Sequence, residues 1–198
     1  MKIVPQSATL LHHTFDAQRL IELAGRTCYK SEGKITDDSH GPFIKMLIIR
    51  GYESVLEHAC ATIRFVIDRG VSHELVRHRL CAFSQESTRY CDYAKTDGLE
   101  FIKPPGLEGS TLDIWIHAVS SAETRYMELR GHGVPPEIAR SVLPNALKTE
   151  IVVTANLREW RHILRLRCSP KAHPQMREVM LLAKAQLSEI APDVFADL

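Results

Sequence analysis

Apolar and polar positions divide the chain into segments of two different periods. Leu20, Leu23, Ala24 and Thr27 recur at helical spacing between Asp16 and Tyr29, which predicts an amphipathic helix. A second helix is expected from Ser39 to Gly51, with Ile44, Leu47 and Ile48 on one face and Gly51 as its stop. The period then changes to two. Ala61, Ile63, Phe65 and Ile67 alternate with Thr62, Arg64 and Asp68 on the other face, which predicts a half-buried strand. A short helix from about Val71 to Arg79 follows, then a polar stretch from Phe83 to Tyr90 and a break at Lys103-Pro104-Pro105-Gly106. A long helix is expected from about Ser110 to Arg130, ended by Gly131 and Gly133. Pro135 suits the first turn of another short helix that Pro144 terminates. The β-branched run Ile151-Val152-Val153-Thr154 predicts a strand, and helices beginning near Asn156 and Pro174 complete the chain. With no repeat and no low-complexity linker, the pattern predicts one α+β domain over residues 1–198, its small, mainly antiparallel sheet flanked by several helices.

Composition narrows the function classes. A formal net charge of +1 supplies no global field toward nucleic acid or an anionic membrane, so a bound anion must be gripped by a local cluster. No apolar run is long enough to span a bilayer. Five scattered cysteines (Cys28, Cys60, Cys81, Cys91 and Cys168), without a CxxC pair or a signal peptide, point to a reducing, cytoplasmic compartment. Ten histidines form no HExxH and no zinc-finger spacing, so no metal is expected.

Two segments concentrate polar chemistry. In the first, Arg77-His78-Arg79 ends the predicted helix, where two arginines could simply complement the helix dipole, and Glu74 could pair with Arg77 and His78. Gln85, Ser87 and Arg89 follow at period two. In an extended segment these side chains share one side, which suits a phosphate or the polar edge of a nucleotide; the plainer reading is an exposed polar edge strand. In the second segment, a helix from Asn156 places Arg158, Arg161, His162 and Arg165 on one arc, opposite Leu157, Trp160, Ile163 and Leu164. That arc could be a solvated basic face. Arg167 breaks the pattern by projecting near Trp160 and Ile163, where a guanidinium needs a strongly polar partner unless the helix ends first. Asn156 reads as an N-cap, and Ser54 as a cap with Glu57 at the capping-box position. Arg140, alone, is an ordinary surface arginine. Residue pattern therefore yields an anion site built from arginines, with no GxGxxG, P-loop or GxSxG.

Arg77-His78-Arg79, seven residues and then Ser87 resembles the RHRx7S signature of the flavin-dependent thymidylate synthases. The similarity widens through Ser72–Val76, Ser84–Tyr90, Glu53–His58, Gly133–Arg140, Leu143-Pro144, Asn156-Leu157-Arg158 and Ala24–Tyr29, nearly the whole chain. This resemblance implies a homotetramer with active sites shared between subunits, which methylates dUMP to dTMP with methylenetetrahydrofolate, FAD and NADPH. It implies FAD contacts from Ser54, Arg77, His78, Arg79, Gln85, Asn156, Arg158 and His162. The dUMP contacts it implies are Glu74, Arg77, Gln85, Glu86, Ser87, Thr88, Arg89, Arg140 and Arg167, with Arg167 catalytic at the N3 edge of the pyrimidine. Reduced flavin would supply the hydride, so no cysteine nucleophile is required. Glu74, Tyr52 and His162 stand where glutamine, histidine and asparagine, respectively, occur in relatives. The rival reading is a non-enzymatic nucleotide- or nucleic-acid-binding module, against which stand the near-neutral charge and the lack of basic–aromatic interleaving.

Overall fold

The computed structural model describes all of residues 1–198. Its chain forms two compact units: Met1–Ser7, Phe65–Arg77 and Ser84–Ile151 in the first, Ala8–Arg64, His78–Phe83 and Val152–Leu198 in the second. The strands are β1 (Lys2–Val4), β2 (Ser7–His13), β3 (Cys60–Asp68), β4 (Ala82–Gln85), β5 (Glu100–Ile102) and β6 (Lys148–Asn156). β2, β3, β6 and β4, in that order, make the small antiparallel sheet, and β1 pairs in parallel with β5, Ile3 opposite Phe101. The mixed α and β architecture is as expected.

In the first unit, α3 (Arg69–Leu75) follows β3 directly, and α4 (Gly109–Gly131) leads into α5 (Pro136–Ala139). Tyr93, Leu99, Phe101, Val119, Tyr126, Ala139 and Leu147 form its core. Asp68 departs from expectation. It is buried, and its carboxylate accepts from the Val71 amide at 2.7 Å, capping α3 instead of lining a polar strand face. With that cap α3 begins two residues early, and it stops at Leu75 as Arg77 N closes a three-residue turn on Glu74 O. The Arg77-His78-Arg79 tripeptide therefore lies beyond the helix.

The second unit holds α1 (Ala17–Thr27), α2 (His40–Ile49), α6 (Leu157–Arg167), α7 (Pro174–Ile190) and α8 (Pro192–Phe195). Gly51, at φ +72°, follows α2 as its predicted stop. Ser54 is not a cap: it sits inside a 3-10 turn, Glu53–His58, that begins after Tyr52. α6 packs on this turn and on α7 and α8. Trp160 is fully buried and donates its indole N–H to the Ala61 carbonyl at 3.0 Å.

Arg161, expected beside Arg158 and Arg165 on one arc, is instead 0% exposed. Residues from the end of the chain cover it. Its guanidinium donates to the Val194 carbonyl and to both Asp197 carboxylate oxygens, at 2.6 and 2.8 Å, and lies 3.5 Å from Glu53. A buried guanidinium must be paired, so these partners fix the rotation of α6 about its axis. Asp197→Ala should lower unfolding stability by about 1.5–3 kcal/mol in urea titration, the scale of hydrogen bonds to a charged group. An unchanged midpoint would show that the remaining partners suffice.

Candidate functional site

In the second unit, a cavity of about 550 Å³ is lined by residues of α6 and of the Glu53–His58 turn. Asn156 caps α6, its side-chain oxygen accepting from the Glu159 amide at 2.9 Å, and also faces the cavity. Arg158, and His162 and Arg165 about one and two turns after it, reach the same space because positions three and four apart share a helix face. Two acids hold the arginines: Arg158 pairs with Glu57, and Arg165 with Glu53 at 3.1 Å.

Arg167, the last residue of α6, donates from Nε to Nε2 of His78 at 3.0 Å. The strongly polar partner that its position demanded is thus a histidine 89 residues away in sequence. A guanidinium offers no lone pair, so His78 Nε2 must be the unprotonated nitrogen, and a neutral ring then carries its proton on Nδ1. Nδ1 faces Glu159 Oε1 at 3.7 Å, and the His162 ring lies edge-on at 5.8 Å between centroids. Burial, then the positive charge of Arg167, then His162 push the His78 pKa down to about 4. Burial also raises the pKa of Glu159.

His78, Glu159 and His162 bring ligand-type atoms within 4.8 Å of one another, a gathering of metal-binding side chains that the sequence reading did not foresee. The Nε2 lone pair of His78 is committed to Arg167, so this set does not present three open donors. Glu159 went unnoticed because an acid in a first helical turn is ordinary; only its burial sets it apart. Burial, and secondarily Glu159, push the Cys81 thiol up to about 12, which rules it out as a thiolate at neutral pH.

In the first unit, β4 ends at Gln85 and the chain turns. Tyr90 N and Cys91 N both donate to Ser87 O, and Arg89 N donates to Ser87 Oγ at 3.2 Å. The period-two alternation therefore stops before Arg89, and Gln85, Ser87 and Arg89 do not share one extended face. Gln85 donates its amide to Ser72 Oγ at 2.9 Å and to Thr149 Oγ1 at 3.2 Å. Thr88 is buried, and its hydroxyl accepts from Arg140 at 3.1 Å, joining Arg140 to the turn. Arg89 is exposed, with its guanidinium 5.2 Å from the Tyr90 ring centroid.

The Glu86 carboxylate is turned toward internal partners. It accepts from Tyr93 Oη at 2.7 Å and from Glu150 N at 3.2 Å, and lies 3.6 Å from Lys148 Nζ. That side chain anchors the turn from within. Glu74 is half-buried near the end of α3, and Arg77 and Arg79 are exposed. Ser54 is exposed in its 3-10 turn.

The model of the thymidylate synthase complementing protein family matches residues 9–193. The flavin-dependent thymidylate synthase of Geobacter sulfurreducens is 36% identical over 197 residues, covering 95% of this chain and 84% of that protein. The flavin-dependent thymidylate synthase of Mycobacterium tuberculosis (strain H37Ra) is 35% identical over 198 residues, covering 90% of this chain and 78% of that protein. Among solved structures, a UMP/dUMP methylase, PolB from Streptomyces cacaoi bound with 5-Br dUMP, shares the fold. Its TM-score is 0.82 at 23% identity, covering 99% of this chain and 96% of that one.

The depressed pKa of His78 carries a sign that can be checked. Between the ordinary value of 6.5 and about 4, the unfolded chain binds a proton that the folded chain does not. His78 therefore makes the fold less stable as pH falls through that window, and the loss levels off below about 4. NMR titration of the imidazoles should give His78 a midpoint near 4; a midpoint between 6 and 7 would contradict the buried, arginine-facing environment.

Proposed function

The chain belongs to the thymidylate synthase complementing protein family, and on that premise we propose that it methylates dUMP to dTMP with FAD as its cofactor. The finer reading is that methylenetetrahydrofolate donates the carbon, NADPH is the reductant, and a homotetramer shares each active site between subunits. One observation carries the assignment most directly. α6 presents Asn156, Arg158 and His162 to a cavity and ends in Arg167, held against His78 of the RHR tripeptide, so two motifs far apart in sequence meet.

The residues fit a flavin dinucleotide. The second-unit cavity has the size of an ordinary ligand pocket, and its amide, guanidinium and imidazole groups suit phosphate oxygens and the polar edges of a ring. Asn156, Arg158 and His162 would hold the cofactor, with Ser54 and the tripeptide Arg77-His78-Arg79 contributing, and Gln85 through what its amide leaves available. Bound FAD supplies the hydride. The chain's own residues supply position and charge.

For dUMP, Arg89 and Arg140 are the phosphate-side pair. Both are exposed guanidiniums joined through one turn, since Arg140 is tied to Thr88 and Arg89 follows it. Ser87 contributes its hydroxyl, and Glu74 and Arg77 complete the set. Glu86 contributes its backbone and the anchoring of the turn. Arg167 is the catalytic residue: its fixed positive charge stabilises negative charge that develops on the pyrimidine. Cys81, its pKa raised by burial, stays a thiol and is not prepared to attack the ring.

Purified protein supplied with FAD should show a flavin absorption band and form dTMP from dUMP when methylenetetrahydrofolate and NADPH are added. A protein that stays colourless and inactive would overturn the reading. Within an active enzyme, Arg89→Ala should weaken dUMP binding roughly ten- to hundredfold, the scale of one charge-assisted contact. Unchanged affinity would remove Arg89 from the phosphate site.

A further inference from the structure

We propose that Glu159 is a positioning residue which, acting through His78, fixes the orientation of the Arg167 guanidinium. The proposal rests on Arg167 working at the pyrimidine, as described above, and adds two side chains that set how it is presented.

Glu159 and Arg167 lie on one helix, eight residues and hence about 12 Å apart along its axis. Long helical side chains lean toward the N-terminus, so Arg167 reaches back along α6. The ring of His78 enters from the turn after α3 and sits between them, Nε2 at 3.0 Å from Arg167 Nε and Nδ1 at 3.7 Å from Glu159 Oε1. His78 and Glu159 are both buried, so neither contact is diluted by solvent.

The arrangement works only in one protonation form. With the proton on Nδ1, the ring accepts from Arg167 and turns its N–H toward the carboxylate. With the proton on Nε2, two N–H groups face each other and the arginine contact breaks; a doubly protonated ring does the same. Donation from Arg167 already selects the Nδ1–H form, and the Glu159 carboxylate, facing Nδ1 at 3.7 Å, adds to that preference electrostatically. The contact through Nε then fixes the plane of the guanidinium, because Nε is rigidly coplanar with the other two nitrogens.

Two substitutions of Glu159 have different expected effects. Glu159→Gln retains an acceptor for the Nδ1 proton; Glu159→Leu retains the bulk and loses the acceptor. In flavin-free protein, nitrogen chemical shifts of the His78 ring should report the Nδ1–H form in the parent and in Glu159→Gln, and a mixture or the Nε2–H form in Glu159→Leu. In single-turnover conversion of dUMP, Glu159→Leu should slow the reaction about tenfold with KM for dUMP and flavin content unchanged, and Glu159→Gln should stay within about twofold. On an Arg167→Ala background the same Glu159→Leu change should have no further effect, since it acts through the missing side chain.

An Nε2–H ring in the parent protein overturns the proposal, and so does an additive loss in the double variant. If Glu159→Leu fails to fold, Arg167→Ala still decides. It removes the positive charge beside the ring, so the His78 titration must move upward from its low value, and an unmoved titration ends the idea. The ring measurements need neither flavin nor substrate, so an inactive parent would count against the proposed function and leave this inference to be judged by the spectra.

Discussion

A guanidinium with no solvent exposure governs the second unit. Arg161 cannot be left unpaired: the Asp197 carboxylate and the Val194 carbonyl accept from it, and Glu53 lies 3.5 Å from its Nε. With Arg161 pinned on one side and Trp160 tied to the Ala61 carbonyl, α6 has no freedom to rotate. Arg158 and His162 then have to face the cavity, and Arg167 has to emerge at the helix end where His78 receives it. The geometry of the candidate site follows from a buried guanidinium that does not itself line the cavity.

Electrostatics divides the histidines and cysteines by the same logic. His78, buried beside Arg167, is held neutral, and Cys81, buried near Glu159, is held protonated. Neither is prepared to act as a charged nucleophile or a general acid at neutral pH. Through Arg158 and Arg167 the candidate site offers fixed positive charge and hydrogen-bond donors, which is what a reaction powered by a bound redox cofactor asks of its protein.

Legibility in the sequence tracked how local each cause was. α1, α2, α4, α6 and α7 were readable because their apolar spacing and end signals lie within the segment, as with Asn156 capping α6. β3 was readable from alternation. The strands β1, β2 and β5 were not: two are three residues long, and β2 (SATLLHH) has no buried residue and no clean alternation. The early start of α3 and the turn at Ser87 broke expectations built on period alone, because hydrogen bonds accepted by Asp68 and Ser87 override the local pattern. At the site, the need of Arg167 for a polar partner could be argued in advance, but not the identity of that partner. The burial of Arg161 beside Asp197, 36 residues on, depends on long-range packing that no window of sequence contains.

The central claim is that Arg167 acts on the reacting pyrimidine itself. The most direct test is single-turnover formation of dTMP with prereduced flavin and saturating dUMP and methylenetetrahydrofolate, which removes binding and nicotinamide oxidation from the comparison. Arg167→Ala should slow methyl transfer about a hundredfold while changing dUMP affinity much less, and Arg167→Lys, which keeps the charge and loses the planar fork, should recover part of that loss. Conversion of dUMP by Arg167→Ala at the parental rate under these conditions would contradict the account.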